Sequence, residues 1–149
     1  MKQLIIIRKD LGMSPGKACS QVSHASMAFL TNMIRSNCGE WISSDDSTYY
    51  SAELTFDKDT YEQWINGIFT KIVCEAKNKN HIMKAITIAQ ELGLKENEDY
   101  FLIKDCCLTE LEPEETDEQG VGRTLTCVGF RPLPDDIARQ ISKKYQLYK

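Results

Sequence analysis

The stretch Leu4-Ile5-Ile6-Ile7-Arg8-Lys9-Asp10-Leu11-Gly12-Met13-Ser14-Pro15-Gly16-Lys17-Ala18-Cys19-Ser20-Gln21-Val22-Ser23-His24-Ala25 carries most of the fold information in the chain. Its first half is a short isoleucine-rich run with charged flanks, Lys2 and Arg8, which suits a buried strand. Leu11 to Gly16 then reads as a turn. Ser14 is a suitable N-cap and Pro15 a suitable first helical residue, since proline lacks only an N–H that would have no intrahelical partner. The spacing predicts a helix from Pro15 to about Ser36, stopping near Asn37-Cys38-Gly39.

Working outward, Ser43 to Thr48 is polar and turn-rich and reads as a loop. Asp57 to Ile68 predicts a short helix, with Tyr61, Trp64, Ile65 and Ile68 at helical spacing. Phe69–Ala76 reads as a strand, Asn80–Leu92 as a helix capped by Gly93, and Tyr100–Ile103 as a strand. After an acidic stretch, Glu110 to Glu118, come a strand at Thr124–Phe130 and a last helix from Pro134 to about Tyr145. Strands alternating with helices imply an α/β fold with part of the sheet parallel. No linker divides the 149 residues, so 1–149 is expected to be a single domain.

Composition excludes several classes. Apolar residues are 42% and charged residues 27%, the ordinary globular mix rather than that of a disordered chain or a coiled coil. No apolar run approaches the roughly 20 residues of a membrane span, and Leu4–Ile7 is too short for a signal-peptide core, so a cytoplasmic protein is expected. No two of the six cysteines have structural-zinc spacing, and most of the thiols read as reduced and half-buried. The net charge of -4 disfavours a nucleic-acid partner taken whole, but it is unevenly placed. Residues 1–40 carry +3 and 123–149 carry +4, while 41–70 carry -5 and 110–122 carry -6.

At about 100° per residue, Ala18, Val22, Ala25, Phe29 and Met33 form one stripe of the first helix, expected to pack on the sheet. Lys17, Gln21 and His24 form a second stripe. A cation, an amide and an imidazole aligned at a helix start suit an anionic or carbonyl-bearing substrate; a solvated polar face is the other reading of the same spacing. Leu11 and Ala18 stand where a phosphate loop needs Gly and Ser or Thr, which excludes an NTPase.

Arg8, Asp10, Leu11, Met13, Gly16, Lys17, Gln21, His24 and Ala25 match the pattern R-x-D-L-x-M-x-x-G-K-x-A-A-Q-x-x-H-A, and the segment closely resembles the signature of the type 2 peptidyl-tRNA hydrolases. Ile103–Thr109 is similar to that family's K-D-A-G-x-T, and Thr124–Pro132 to its G-T-x-T-x-x-G-I-G-P. Departures are Cys106-Cys107 for Ala-Gly, Arg123 and Arg131 for glycines, Cys19-Ser20 for the alanine pair, and a longer acidic connection. The resemblance implies a three-layer α/β/α sandwich with a mixed, roughly four-stranded sheet, no metal or cofactor, often a homodimer, and hydrolysis of the ester joining peptide to tRNA. On it, Lys17 would bind phosphate or the oxyanion, Gln21 would orient carbonyl or water, His24 or Asp105 would take the water's proton, and Thr109 and Thr126 would supply hydroxyls, with Thr124 a further site candidate. Arg8, Lys9, Lys17, Arg123 and Arg131 would contact tRNA. A non-catalytic tRNA- or protein-binding module on the same fold is the alternative, and an oxidisable Cys106-Cys107 pair a third reading.

Overall fold

The computed structural model describes Met1–Lys149. Strand β1 (Lys2–Arg8) is the hub of the sheet. It pairs in parallel with β4 (Lys71–Ala76) and antiparallel with β7 (Gly122–Leu133); β5 (Tyr100–Asp105) lies antiparallel on the far side of β7. Two further strands of two residues each complete the sheet: β6 (Glu115–Thr116) on β7 and β8 (Gln146–Leu147) on β4. The sheet therefore has six strands, where roughly four were expected. The expected four are its long strands, and a two-residue strand is too short to leave an alternation in the sequence. A separate hairpin, β2 (Cys38–Ile42) with β3 (Thr48–Ala52), flanks the expected 43–48 loop.

Both faces of β1 are covered, which is why its isoleucines run without interruption. Leu4 and Ile6 enter the large core with Ile82, Ala85, Ile86 and Ala89 of helix α2 (Lys79–Glu91) and with Ala138 and Ile141 of α3 (Asp135–Ser142). Ile5 and Ile7 pack on the other face against Ala18 and Ala25 of α1 (Pro15–Asn37). The three-layer arrangement follows directly. Ser14 caps α1, its hydroxyl accepting from the Lys17 amide, with Pro15 at the first position as its sequence implies.

Some boundaries moved. The 57–68 helix is a wide π-helical segment, Thr60–Ile68, broken at Gly67 and closed by Phe69 at φ 58. Phe69 therefore does not join β4, and the strand starts at Lys71. The final helix stops at Ser142, while Tyr145 turns back to stack on His81.

α1 lies close on the sheet. A Cβ built on Gly129 of β7 would stand 2.3 Å from the Ala25 carbonyl oxygen, so helix backbone rests on strand backbone there. No helix is long and apolar enough to cross a membrane.

Candidate active site

β1, β4 and β5 all run the same way, so Arg8, Ala76 and Asp105 end at one edge of the sheet. α1 begins at that edge and brings Lys17 over the end of β5. The Lys17 Nζ donates to Asp105 Oδ1 at 2.7 Å and to Thr109 Oγ1 at 3.2 Å. Gln21 Nε2 donates to the same Asp105 oxygen at 2.9 Å, and the Cys107 amide donates to Oδ2 at 2.9 Å. Thr126 donates to Gln21 Oε1 at 2.6 Å. Thr126, Gln21, Asp105, Lys17 and Thr109 thus form one connected chain, reaching from the floor of the sheet to the surface.

Gln21 is 2% exposed, so it belongs to the buried face of α1 together with Ala18, Ala25 and Phe29. Val22 and Met33, expected on that face, are only half-buried. The buried stripe is turned toward β5 because a buried glutamine needs partners for both ends of its amide, and Asp105 and Thr126 lie on that side.

Burial pushes the Asp105 carboxyl up, but the hydrogen bond and charge of Lys17, with the bonds from Cys107 and Gln21, more than offset this and hold it below the usual carboxylate range. It is ionised at neutral pH. Lys17 spends two of its three N–H donors on Asp105 and Thr109 and keeps one for a ligand.

His24 lies on the same flank of α1, exposed, and hydrogen-bonds to none of these groups. The side chains of the other sequence candidates hydrogen-bond to none of the five residues of that chain, although Thr124 lies opposite Asp105 in the β5–β7 register and Arg123 reaches Cys106 Sγ. Arg8 is 4% exposed and commits all five N–H donors: to Asp10, to both carboxylate oxygens of Glu114 and to the Leu125 carbonyl. Thr124 is buried, receiving the Glu114 amide and donating to the Glu112 carbonyl, which fixes the acidic connection. Lys9 pairs with Glu75, Arg123 with Asp117, and Arg131 with Asp99.

Two participants were not anticipated from the sequence. Glu110 accepts from the Ser14 amide and hydroxyl, setting a carboxylate at the start of α1 beside the cluster. The Cys107 amide reaches Asp105 because Cys107 sits at φ 57, a left-handed conformation that favours glycine. The glycine at that place in the resembling motif was the available signal. Cys106 and Cys107 are both free thiols.

A family profile described as "Peptidyl-tRNA hydrolase PTH2" matches residues 1–148. A protein named "Peptidyl-tRNA hydrolase" from Sulfolobus acidocaldarius is 27% identical over 148 residues, 99% of each chain. One of the same name from Saccharolobus solfataricus is 24% identical over 147 residues, 99% of this chain and 98% of the other. Among solved structures, a protein of unknown function from Agrobacterium tumefaciens aligns with a TM-score of 0.53 at 11% identity, covering 99% of this chain and 97% of that one, a likeness of fold alone. With the profile spanning nearly every residue, the chain belongs to the peptidyl-tRNA hydrolase PTH2 family.

Proposed function

We propose that the protein hydrolyses the ester between a peptide and the terminal ribose of tRNA, using the cluster around Asp105. The observation that carries this reading is the convergence of Lys17 and Gln21 on one oxygen of an ionised carboxylate, with a lysine N–H left over.

Water attacks the ester carbonyl carbon and transfers its proton to Asp105, the carboxylate hydrogen-bonded to Lys17. The free N–H of Lys17 meets the carbonyl oxygen as it gains negative charge. The C–O bond to the ribose then breaks, and the leaving oxygen takes the proton from Asp105. Gln21, locked by Thr126, is a positioning residue for the carboxylate; Thr109 positions the lysine. His24 lies outside this chain of contacts and is assigned no proton transfer. Such an enzyme would act in the cytoplasm, where translation yields its substrate.

The test is release of an N-blocked amino acid from aminoacyl-tRNA by purified protein. Lys17→Ala and Asp105→Asn should each lower kcat/KM by about 10²–10³-fold, while His24→Ala should cost far less. No release, or release indifferent to Lys17 and Asp105, would leave the binding-module reading in its place.

A further inference from the structure

The cations nearest the site are already neutralised. Lys9, Lys79, Lys104 and Arg123 each face a carboxylate within 3.4 Å, and Arg8 is buried. Lys77, Lys84 and Lys144 differ: each is exposed and none forms an ion pair. They come from three places in the chain, the β4–α2 connection, α2 itself and the segment after α3. With Asn78, Asn80 and His81 they line an open cavity of about 410 Å³ that has no apolar residue in its wall.

The cavity has a firm floor. The His81 ring stacks on Tyr145 at 4.2 Å between centroids, its Nδ1 accepts the Lys77 amide, and Tyr145 donates its hydroxyl to the His81 carbonyl. Burial, then the charges of Lys77 and Lys84, push the His81 imidazole below its usual pKa, in keeping with an uncompensated positive field. Glu91 borders the adjoining hollow, which shares His81, Lys84 and Lys144, and it pairs with none of them. Three lysines without counter-charge around a polar cavity suit a polyanion.

Topology places this cavity usefully. β4 ends at Ala76 beside Arg8, so Lys77 leaves the same sheet edge at which Lys17 and Asp105 meet. α2 then lies on the opposite face from α1. Between the two runs a bridge of charges, Arg8 to Glu114 to Lys79.

We propose that Lys77, Lys84 and Lys144 form a second contact for the tRNA phosphate backbone, across the sheet edge from the ester-cleaving cluster. The identity of the polyanion rests on the hydrolase reading above; the phosphate chemistry of the site does not. The substrate would cross the end of the sheet, its acyl end over α1 and its backbone over α2.

The test is binding of unacylated tRNA followed by fluorescence anisotropy over a salt series, which requires no turnover. A Lys77→Ala/Lys84→Ala/Lys144→Ala variant is compared with Arg35→Ala/Lys58→Ala/Lys95→Ala, which removes the same charge from the opposite end of the molecule. The first should bind at least about tenfold more weakly at low salt, and its log–log salt slope should shrink by about 2, near the 0.7–0.9 expected per phosphate contact. The second should stay near wild type. Equal losses in both variants, or an unchanged slope in the first, would overturn the proposal. So would displacement of tRNA by micromolar inorganic phosphate at matched ionic strength, which would make free phosphate the ligand. If tRNA binding needs these lysines but no ester is cleaved, the hydrolase reading fails and the phosphate site stands.

Discussion

Cys107 holds the Asp105 carboxylate through its backbone while its own side chain strains that backbone. At φ 57 a residue with a Cβ carries roughly 1–2 kcal/mol of steric cost. Glycine would remove that cost and lose about 0.4–1 kcal/mol to the greater freedom of the unfolded chain. Cys107→Gly is therefore expected to stabilise the protein by about 0.5–1 kcal/mol, read as a higher urea midpoint at constant slope. The amide donor survives the change, so kcat/KM should hold. The candidate site was legible at this scale in Lys17, Gln21, Asp105, Thr109 and Thr126, which the motif names and which meet in space, but not in the side chain of Glu110, which lies in a stretch that carries no motif. It was illegible where the backbone does the work, because the Cys107 amide depends on a dihedral angle and not on a residue type.

α1 is positioned by a contact between backbones. Gly129 lets the helix descend until the Ala25 carbonyl lies where a methyl group would be. Gly129→Ala must lift the helix or bend β7, at a cost on the order of 3 kcal/mol. Because Lys17 rides on the same helix, kcat/KM should fall along with the denaturation midpoint. Gly39→Ala, in the exposed β2 strand with no atom within 4 Å of the new Cβ, is the matched control and should change neither. The long elements were readable from periodicity and caps, as Ser14-Pro15 at the start of α1 and Gly93 after α2 show. The β2–β3 hairpin was not, since every residue in both strands is exposed and no face of it alternates toward a core. Gln21 misled in the opposite sense: a polar residue marks a helix face as solvent-exposed unless its hydrogen-bond partners are known.

Charge governs behaviour at the scale of the molecule. Asp57, Asp105, Glu110, Glu114, Glu115 and Asp117 all lie below the usual carboxylate range, with hydrogen bonds from Thr60, Ser14, Arg8, Lys104 and Arg123 the leading cause in all but Asp105, whose burial opposes the shift. A carboxylate depressed in the folded state contributes stability that is complete above its unfolded pKa, about 3.9 for Asp and 4.3 for Glu. That contribution is lost as pH falls through the lower, folded value. Depression of His81 acts with the same sign, starting below about 6.5. The melting temperature should accordingly be level near neutrality, dip slightly through the histidine range and drop steeply only below about pH 4, with proton uptake on unfolding measured by calorimetry in buffers of different ionisation heat. The net charge of -4 never described the surface a substrate meets, because much of the acidity of 110–118 is paired with Arg8, Lys79, Lys104 and Arg123.

Arg8, the buried member of these pairs, makes the pairing consequential for how the molecule comes apart. One guanidinium joins the end of β1, the turn at Asp10, the connection at Glu114 and the β7 carbonyl of Leu125. Leu111 is buried below the same connection and Thr124 grips it twice. A segment that looks in sequence like a free acidic loop is therefore tied to the central strands at Leu111 and Glu114. The Glu114 amide, bonded to the Arg123 carbonyl and the Thr124 hydroxyl, should exchange with solvent more slowly than the amides of the exposed residues around Glu118.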